Sequence, residues 1–311
     1  MLPLAPMNEI DLATAWRFSR LIRQWSPAIV HAHDPHAVAM AGLALSFAAP
    51  TPRPKVVASR RVDFHLQAHA FSQWKYRQVD GFIAASRAIR DILVQDAIPA
   101  GRIAVVHDGI DIEKIENRPA LDIHAEYWLP HGVPVIVNVG ALVGHKGQKH
   151  LIDAMPIVLR DVPDAHLVIF GEGELRAPLE RQVKHLGLEK RVLLPGFRED
   201  VLSLVKSADL FVMSSVTEGL GSAVLDAMAM RLAVVGTHAG GIPEAVVPGE
   251  TGELAEPGDP QALAAAIVKL LKNSDLRRAY GEAGCARVRD LFGVDRLVEE
   301  TLAAYQRFTA G

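Results

Sequence analysis

The chain has 311 residues, of which 50% are hydrophobic and 22% are charged, so it can bury a substantial core and is long enough for two domains. A net charge of −3 with no long run of either sign gives no reason to expect nucleic acid, although basic stretches at residues 53–61 and 75–77 leave peripheral contact with an anionic membrane open. The single cysteine, Cys285, excludes an intramolecular disulfide framework and suits a reducing compartment.

The most apolar stretch, AVAMAGLALSFAAP, is too short to span a bilayer and ends in proline. The first residues lack the basic-then-apolar pattern of a signal peptide. We therefore predict a cytoplasmic protein and leave a location at the inner face of the membrane open.

Short β-branched runs alternate with longer amphipathic segments. In chain order the runs are AIVHAH, KVVASR, GFIAAS, RIAVVH, VPVIVNVG, AHLVIFG, RVLLPG, DLFVMSS and LAVVGT. Apolar runs of this length between helical patterns predict parallel strands with helices on both faces. The predicted fold class is α/β with doubly wound, Rossmann-like sheets.

A charged, strand-poor segment at residues 111–131 divides the runs into two groups, and we place the interdomain linker there. The first domain then spans residues 1–118 and the second residues 119–291. Because ligands of open α/β sheets bind at the carboxyl ends of the strands, we expect a cleft between the domains. The chain opens in a helical pattern, LATAWRFSRLIRQW, with no strand before it.

The segment VPVIVNVGALVGHKGQKHLIDAM predicts an anion site. A buried strand ends at Gly140, and a helix begins near Gly147. Lys146 stands at the mouth of that helix, where free backbone N–H groups attract anions, so we predict that it binds phosphate. The loop lacks the Gly-Lys-Ser/Thr triplet of a Walker A motif. The alternative is a solvated lysine after a turn.

The segment AHLVIFGEGELRAPL contains Gly-x-Gly after a strand, but Arg176 occupies the third glycine position of a dinucleotide-binding fingerprint. A tight turn from strand to helix explains Gly171 and Gly173. Glu172 between them is a candidate to line the cleft.

The segment DLFVMSSVTEGLGSAVLDAMAM predicts a strand, a glycine loop that permits close backbone approach, and a helix. Glu218 follows the strand, and Asp226 lies on the helix. Eight helical residues span roughly 12 Å, enough to reach from a sugar to a ribose across a diphosphate. Each carboxylate can accept hydrogen bonds from a vicinal diol. The alternative is that Glu218 has no role and Asp226 favours the helix N-terminus electrostatically.

These segments, in this order, resemble family-four glycosyltransferases with the GT-B fold over nearly the whole chain. The matching segments are VGALVGHKG, FGEGEL, LPGFREDV, ADLFVMSSVTEGLGSAVLDAMA and GTHAGGIPEAVVPGETGELAEPGDPQALAAAI, preceded by IVHAHD, VDGFIAASRAIRDIL and RIAVVHDGID. The resemblance implies two parallel-sheet domains facing a cleft, with a final helix at residues 292–311 that packs on the first domain. The family's first strands are missing from the chain, which implies an N-terminally truncated, incomplete first domain.

The resemblance also implies roles for single residues. Glu218 contacts the donor sugar, Asp226 binds the ribose, and Lys146 neutralises the donor diphosphate. Backbone near Phe197 and Arg198 faces the nucleobase. The other donor-side residues that we assign are Gly140, Gly147, Glu172, Gly219, Leu220 and Gly221.

Two departures from the family pattern concern charge. Asp226 stands where the family usually has glutamate, and a shorter acid can still hold a diol. Ala141 replaces an arginine that often accompanies the lysine, which makes Lys146 more important.

On the acceptor side, VHAHDPH superficially resembles a His-x-His-x-Asp-His metal signature, but the spacing is one residue short. We therefore predict no metal site. His31 packs at the strand end, whereas the resemblance directs His33 and Asp34 into the cleft. In ASRRVDF, the residues Arg60, Arg61 and Asp63 suit an anionic acceptor or, equally, form a solvated loop.

The resemblance implies transfer of a sugar from a nucleotide-diphosphate sugar to an acceptor hydroxyl with retention and without a cofactor. We assign Lys146 and Glu218 as the catalytic residues, since fixed positive potential stabilises the leaving diphosphate. The acceptor is a glycan, a lipid-linked sugar or a small molecule, and the commonest setting by analogy is cell-envelope polysaccharide or lipopolysaccharide synthesis. A GT-B nucleotide-sugar epimerase and a non-catalytic or inactive truncated nucleotide-sugar-binding protein remain alternatives.

Overall fold

The computed structural model describes residues 6–67 and 69–310. The chain forms two compact units. Unit 1 comprises Met1–His107 and Leu297–Gly311, and unit 2 comprises Asp108–Arg296.

Among the described residues, each unit contains one parallel sheet. Unit 1 has a four-stranded sheet in the order β1-β2-β3-β4, and unit 2 has a six-stranded sheet in the order β10-β9-β8-β5-β6-β7. The strands are β1 (Ile29–Ala32), β2 (Lys55–Arg60), β3 (Gly81–Ala84), β4 (Ile103–Val105), β5 (Val135–Val139), β6 (His166–Phe170), β7 (Val192–Gly196), β8 (Leu210–Val212), β9 (Val234–Thr237) and β10 (Gly252–Ala255).

Helices connect the strands, and many begin at a polar side chain that accepts hydrogen bonds from the first turn, as Asp34, Ser86 and Asp259 do. The helices are α1 (Leu12–Trp25), α2 (Pro35–Ala48), α3 (Ala70–Arg77), α4 (Arg87–Gln95), α5 (Ile112–Glu116), α6 (Ile123–Glu126), α7 (Gln148–Asp161), α8 (Arg176–His185), α9 (Val201–Val205), α10 (Ser222–Ala229), α11 (Ile242–Ala245), α12 (Pro260–Leu271), α13 (Ser274–Leu291) and α14 (Val294–Thr309).

Both faces of the unit 1 sheet carry apolar side chains. One face packs around Phe82, and the other packs Val57 and Ile83 against Ala304 and Phe308 of α14. A Cβ atom on Gly81 would lie 2.4 Å from the Phe308 ring, so this glycine lets α14 approach the sheet. The C-terminal helix therefore covers a face that would otherwise be exposed.

The unit 2 sheet separates two larger apolar cores. Val135 and Val137 of β5 point into one core, and Ile136 points into the other. This alternation follows from the strand geometry, in which successive side chains point to opposite faces. The apolar runs of the sequence are thus buried on both sides, as parallel strands require.

The division of the chain differs from the boundary predicted between residues 118 and 119. Residues 108–118 belong to unit 2, because Ile115 is buried in its core and Ile110 pairs with Gly293. The segment predicted as a linker forms α5 and α6, and Ile123 of α6 is fully buried. The C-terminal helix begins at Val294, and its residues from Leu297 onward lie in unit 1.

Candidate active site

The candidate site of unit 2 lies where the strand order reverses. From β5 the chain moves outward to β6 and β7, and it then returns to the other side of β5 to form β8. Lys146 follows β5 and Glu218 follows β8, at the carboxyl ends of two neighbouring parallel strands. Doubly wound sheets bind ligands in the crevice at such a reversal.

Lys146 and Glu218 form an ion pair at this point. The Lys146 Nζ atom lies 2.6 Å from Glu218 Oε2, and the Ser215 hydroxyl donates a second hydrogen bond of 2.9 Å to the same oxygen. The side chain of Glu218 is largely buried, with 9% of the residue exposed. A buried carboxylate needs such partners, because an unpaired buried charge is costly.

The other Glu218 oxygen has different surroundings. Within residues 6–67 and 69–310, Oε1 accepts no hydrogen bond, and it is not among the buried atoms that lack a partner. This oxygen is therefore an accessible acceptor on a carboxylate that is otherwise held in place.

The loop after Glu218 presents unpaired backbone donors. The N–H groups of residues 219–223 have no acceptor in the part of the chain that the structure describes, although residues 219–221 are buried. Buried N–H groups are rarely left unpaired in proteins. They precede and open α10, where the helix dipole adds positive potential, so the loop is suited to bind an anion.

A glycine pair after β9, Gly240 and Gly241, contacts the backbone of the Glu218 loop. Gly241 donates its N–H to the Glu218 carbonyl at 3.1 Å. A Cβ atom on Gly240, which has a φ of 51°, would lie 1.7 Å from that carbonyl oxygen. The backbone of Glu218 is thus fixed by a close approach that only glycine permits.

The Lys146 loop is locked to the same strand end. Gly147 has a φ of 65°, and a Cβ atom there would lie 2.1 Å from the Ser214 carbonyl oxygen. The Ser214 hydroxyl donates to the Lys146 carbonyl at 3.1 Å, and the Val216 N–H donates to the His145 carbonyl at 2.7 Å. These contacts place the start of α7 beside the Glu218 loop.

Asp226 lies on α10, half-buried and without a compensating donor. Burial raises the pKa of its carboxyl to about 6, against an opposing effect of Arg118. No hydrogen bond to the carboxylate occurs among the residues described, and neither oxygen is a buried atom that lacks a partner. Hydroxyl groups of a ligand would stabilise its charged form.

The remaining donor-side residues also lie at the carboxyl ends of the unit 2 strands. Gly140 follows β5 directly, and a Cβ atom there would lie 3.8 Å from the Lys146 side chain. Glu172 follows β6, and its carboxylate pairs with Arg176 at 2.7 Å. Its Oε1 atom would lie 2.5 Å from a Cβ atom on Gly196, which ends β7. The Glu172 side chain thus lies against the end of the next strand.

Phe197 and Arg198 follow β7, and their side chains have different surroundings. Phe197 is 70% exposed. The Arg198 guanidinium donates to Asp200 at 2.8 Å and to Glu126 at 2.5 Å, and these bonds raise its pKa above its usual range. Because two carboxylates hold that side chain, backbone groups here are freer than the guanidinium to contact a ligand.

The acceptor-side candidates lie in unit 1, at or just after the ends of β1 and β2. His33 is exposed, and its ring centroid lies 4.1 Å from that of His31. Asp34 accepts the N–H groups of His36 and Ala37, so its carboxylate caps α2. Capping accounts for Asp34 without a ligand.

The other acceptor-side candidates are Arg60, Arg61 and Asp63. Arg60 donates to the Phe64 carbonyl, while its Nε atom is buried without a partner in the described ranges. Arg61 is exposed, and Asp63 is partly exposed.

His31, which we expected to pack at the strand end, is held by two hydroxyl groups. Its Nδ1 atom lies 2.6 Å from the Tyr305 hydroxyl and its Nε2 atom 2.8 Å from Ser59 Oγ. Burial, with smaller effects of His33 and Arg61, lowers the pKa of His31 to about 4. The ring is therefore neutral at physiological pH.

The described residues contain no group of three or more His, Cys, Asp and Glu side chains arranged to hold a metal ion. Within the same ranges, every helix is too short or too polar to cross a membrane.

Sequence reasoning missed Ser215, Thr237 and the role of Gly240. The serines after β8 resemble an ordinary strand end, and nothing local shows that one of them contacts Glu218. The glycine pair in HAGGIPE was a usable signal, since adjacent glycines indicate a close backbone approach.

Comparison with known proteins gives matches over both units. Residues 121–287 match the family model described as Glycosyl transferases group 1, and residues 1–114 match the one described as Glycosyltransferase Family 4. The N-acetyl-alpha-D-glucosaminyl L-malate synthase of Bacillus anthracis is 28% identical over 73% of this chain, and the match spans 60% of that enzyme's length. The putative glycosyltransferase EpsD of Bacillus subtilis is 28% identical over 98% of this chain and 83% of its own.

Solved structures show the same fold. Anabaena HepE in complex with UDP has a TM-score of 0.81 at 23% identity, covering 94% of this chain and 82% of that one. The complex of the same protein with UDP-glucose has a TM-score of 0.78 at 24% identity, covering 93% of this chain and 82% of that one. The predicted fold class, two doubly wound parallel-sheet units of the GT-B type, is confirmed.

Proposed function

The chain belongs to the group 1 glycosyl transferases, and from that premise we propose that it moves a sugar from a nucleoside-diphosphate sugar to an acceptor hydroxyl with retention at the anomeric carbon. The observation that carries the proposal is the junction of Lys146, Glu218 and the unpaired N–H groups of residues 219–223. It combines positive potential with a hydroxyl-accepting carboxylate in one crevice.

Lys146 stabilises the leaving group in this proposal. Negative charge grows on the diphosphate as the glycosidic bond breaks, and fixed donors aimed at that charge lower the barrier. The ion pair with Glu218 keeps the ammonium group at the crevice before the donor arrives. The N–H groups of residues 219–223 share the new charge, and the leaving phosphate accepts the proton of the acceptor hydroxyl.

Glu218 orients the sugar and does not attack it. Its Oε2 atom is engaged by Lys146 and Ser215, whereas Oε1 is accessible. Asp226 then accepts the hydroxyl groups of the ribose, and backbone near Phe197 and Arg198 contacts the base. We propose UDP as the nucleotide to test first, because HepE has been solved with UDP and with UDP-glucose.

The acceptor is assigned to unit 1. His33, Arg60, Arg61 and Asp63 lie at or just after the ends of two neighbouring parallel strands. They provide cationic and hydrogen-bonding groups, which suits a polar or anionic acceptor such as a glycan, a lipid-linked sugar or a small molecule. We propose cell-envelope polysaccharide or lipopolysaccharide synthesis as the setting, in the cytoplasm or at the inner face of the membrane. No cofactor enters the proposed reaction.

The proposal is tested by incubating the chain with UDP-glucose and a panel of alkyl glycosides, and by assigning the anomeric configuration of any product by proton NMR. We expect UDP release that depends on the acceptor and a product with the configuration of the donor. Lys146→Met should abolish turnover, and Lys184→Met, an exposed lysine in the last turn of α8, should not. An inverted product would refute retention. Epimer formation from donor alone, or binding without transfer, would favour the rival functions.

A further inference from the structure

We infer that Ser215 is a positioning residue that decides which oxygen of Glu218 meets the donor sugar. The inference rests on the proposed function. It adds an atomic assignment, in which protein groups hold Oε2 in place and Oε1 accepts hydrogen bonds from the sugar. It also names Ser215 as the residue that keeps the two oxygens in these roles.

The two oxygens of Glu218 have different surroundings. Lys146 Nζ and Ser215 Oγ both donate to Oε2, at 2.6 and 2.9 Å. Two donors that approach one oxygen from different elements fix the rotation of the carboxylate. Lys146 alone would not do so, because an ammonium group on a flexible stem can follow either oxygen.

Ser215 is itself held rigidly. The residue is fully buried, so no water competes for its hydroxyl. The Thr237 hydroxyl, at the end of the neighbouring β9, donates to the Ser215 carbonyl at 2.6 Å. Thr237 is 2% exposed. The β9 strand end thus fixes Ser215, and Ser215 in turn fixes the Glu218 carboxylate.

A positioning role and a purely structural role predict different binding data. If Ser215 only satisfied a buried carboxylate, its removal would loosen the whole loop and weaken UDP and UDP-glucose alike. If it orients the carboxylate, its removal should weaken only the contribution of the glucosyl group, because the diphosphate contacts Lys146 and the loop N–H groups. The ratio of the two dissociation constants is therefore the decisive quantity.

The experiment is calorimetric titration of wild type, Ser215→Ala and Glu218→Ala with UDP and UDP-glucose. In Ser215→Ala we expect the affinity for UDP-glucose to fall roughly ten-fold, as for a lost hydrogen bond to a charged group, while the affinity for UDP stays within roughly two-fold. Ser203→Ala is the matched control, because Ser203 is another buried serine of unit 2 and lies on α9. It should leave both affinities unchanged.

Conservative variants extend the test. Ser215→Cys keeps the branching of the side chain but replaces the hydroxyl with a somewhat larger, weaker donor, and it should give an intermediate ratio. It also carries the test if Ser215→Ala does not fold. Thr237→Val should shift the ratio in the same direction as Ser215→Ala, by a smaller factor, because it frees the Ser215 backbone without removing the hydroxyl.

The outcomes separate the inference from the function on which it rests. If the wild type binds neither ligand, the donor proposal fails. If the wild type and Glu218→Ala give the same ratio, Glu218 does not contact the sugar, and its proposed role fails. If Glu218→Ala changes the ratio but Ser215→Ala does not, or if Ser215→Ala weakens both ligands equally, the positioning role is refuted.

Discussion

Replacing Asp226 with asparagine removes a carboxyl group whose burial raises its pKa from 3.8 to about 6. The folded chain therefore binds this proton more tightly than the unfolded chain does. The stabilisation that results is fully present below pH 3.8 and is lost as the pH rises through about 6. Asparagine has nearly the same shape and does not titrate, so the difference between the two proteins isolates this carboxyl group.

The size of this change in unfolding free energy follows from proton linkage. With pKa values of 3.8 in the unfolded chain and about 6 in the folded chain, ionised Asp226 costs about 1.6 kcal/mol at pH 5 and about 3 kcal/mol at pH 7.5. The wild type should therefore lose about 1.4 kcal/mol of unfolding free energy relative to Asp226→Asn between these two pH values.

Urea unfolding of both proteins from pH 5 to pH 7.5, followed by circular dichroism, measures this difference. Asp11→Asn is the contrasting control, because hydrogen bonding to the Thr14 N–H lowers the pKa of Asp11. The contribution of Asp11 to stability therefore changes below about pH 3.8 and stays constant over the measured range. If the difference between wild type and Asp226→Asn varied by less than about 0.5 kcal/mol, burial would not dominate the Asp226 environment and the reasoning would be wrong.

Three further substitutions test the site and the core. Lys146→Met should weaken UDP binding by roughly ten- to hundred-fold in calorimetry, since it removes a charge-assisted contact to phosphate, and an unchanged affinity would contradict the assignment. Gly240→Ala should destabilise the chain by about 2 kcal/mol or more in urea unfolding, because its Cβ atom would lie 1.7 Å from the Glu218 carbonyl oxygen; a neutral effect would show that the loop can move aside. Phe308→Ala should cost about 3–5 kcal/mol by the same measurement, because the ring packs on Gly81, and a loss below about 1 kcal/mol would mean that α14 contributes little to unit 1.

The strands were predictable because each buried run is apolar along its whole length. All the apolar runs identified from the sequence contain strands, from AIVHAH with β1 to LAVVGT with β9. The strand β10, GELA, was not predicted. It lies at the edge of the sheet, is short and contains Glu253, so its pattern resembles a turn.

The segment at residues 111–131 was wrongly predicted to be a linker for a related reason. Its helices are short, and each buries one main apolar anchor, Ile115 in α5 and Ile123 in α6. A single buried residue in a charged segment has no periodicity to detect. Its packing depends on partners far along the chain, such as Ser207, whose hydroxyl accepts the Ile123 N–H.

The proximity of Lys146 and Glu218 was within reach of sequence reasoning, because strand ends of a parallel sheet meet at one edge. The partners of Arg198 were not. Glu126, which accepts from its guanidinium, precedes it by 72 positions and lies on an unpredicted helix. Local patterns therefore predicted which loops form the site, but only the tertiary structure shows which side chains in those loops are already engaged.

The charges of the site bear on how the proposed diphosphate would bind beside the uncharged Ala141. The ammonium group of Lys146 already compensates the buried Glu218 carboxylate, so a bound diphosphate would bring more negative charge than this one side chain can balance. The Ala141 carbonyl accepts from the Gln148 side chain at 3.0 Å, which ties the β5 loop to the start of α7 but adds no positive charge. In the proposed reaction, backbone N–H groups at the starts of α7 and α10 supply the remaining compensation, because their dipoles are fixed before binding. Recognition would then depend more on the exact placement of these loops than on the number of cationic side chains, which accounts for the close backbone approaches at Gly147 and Gly240.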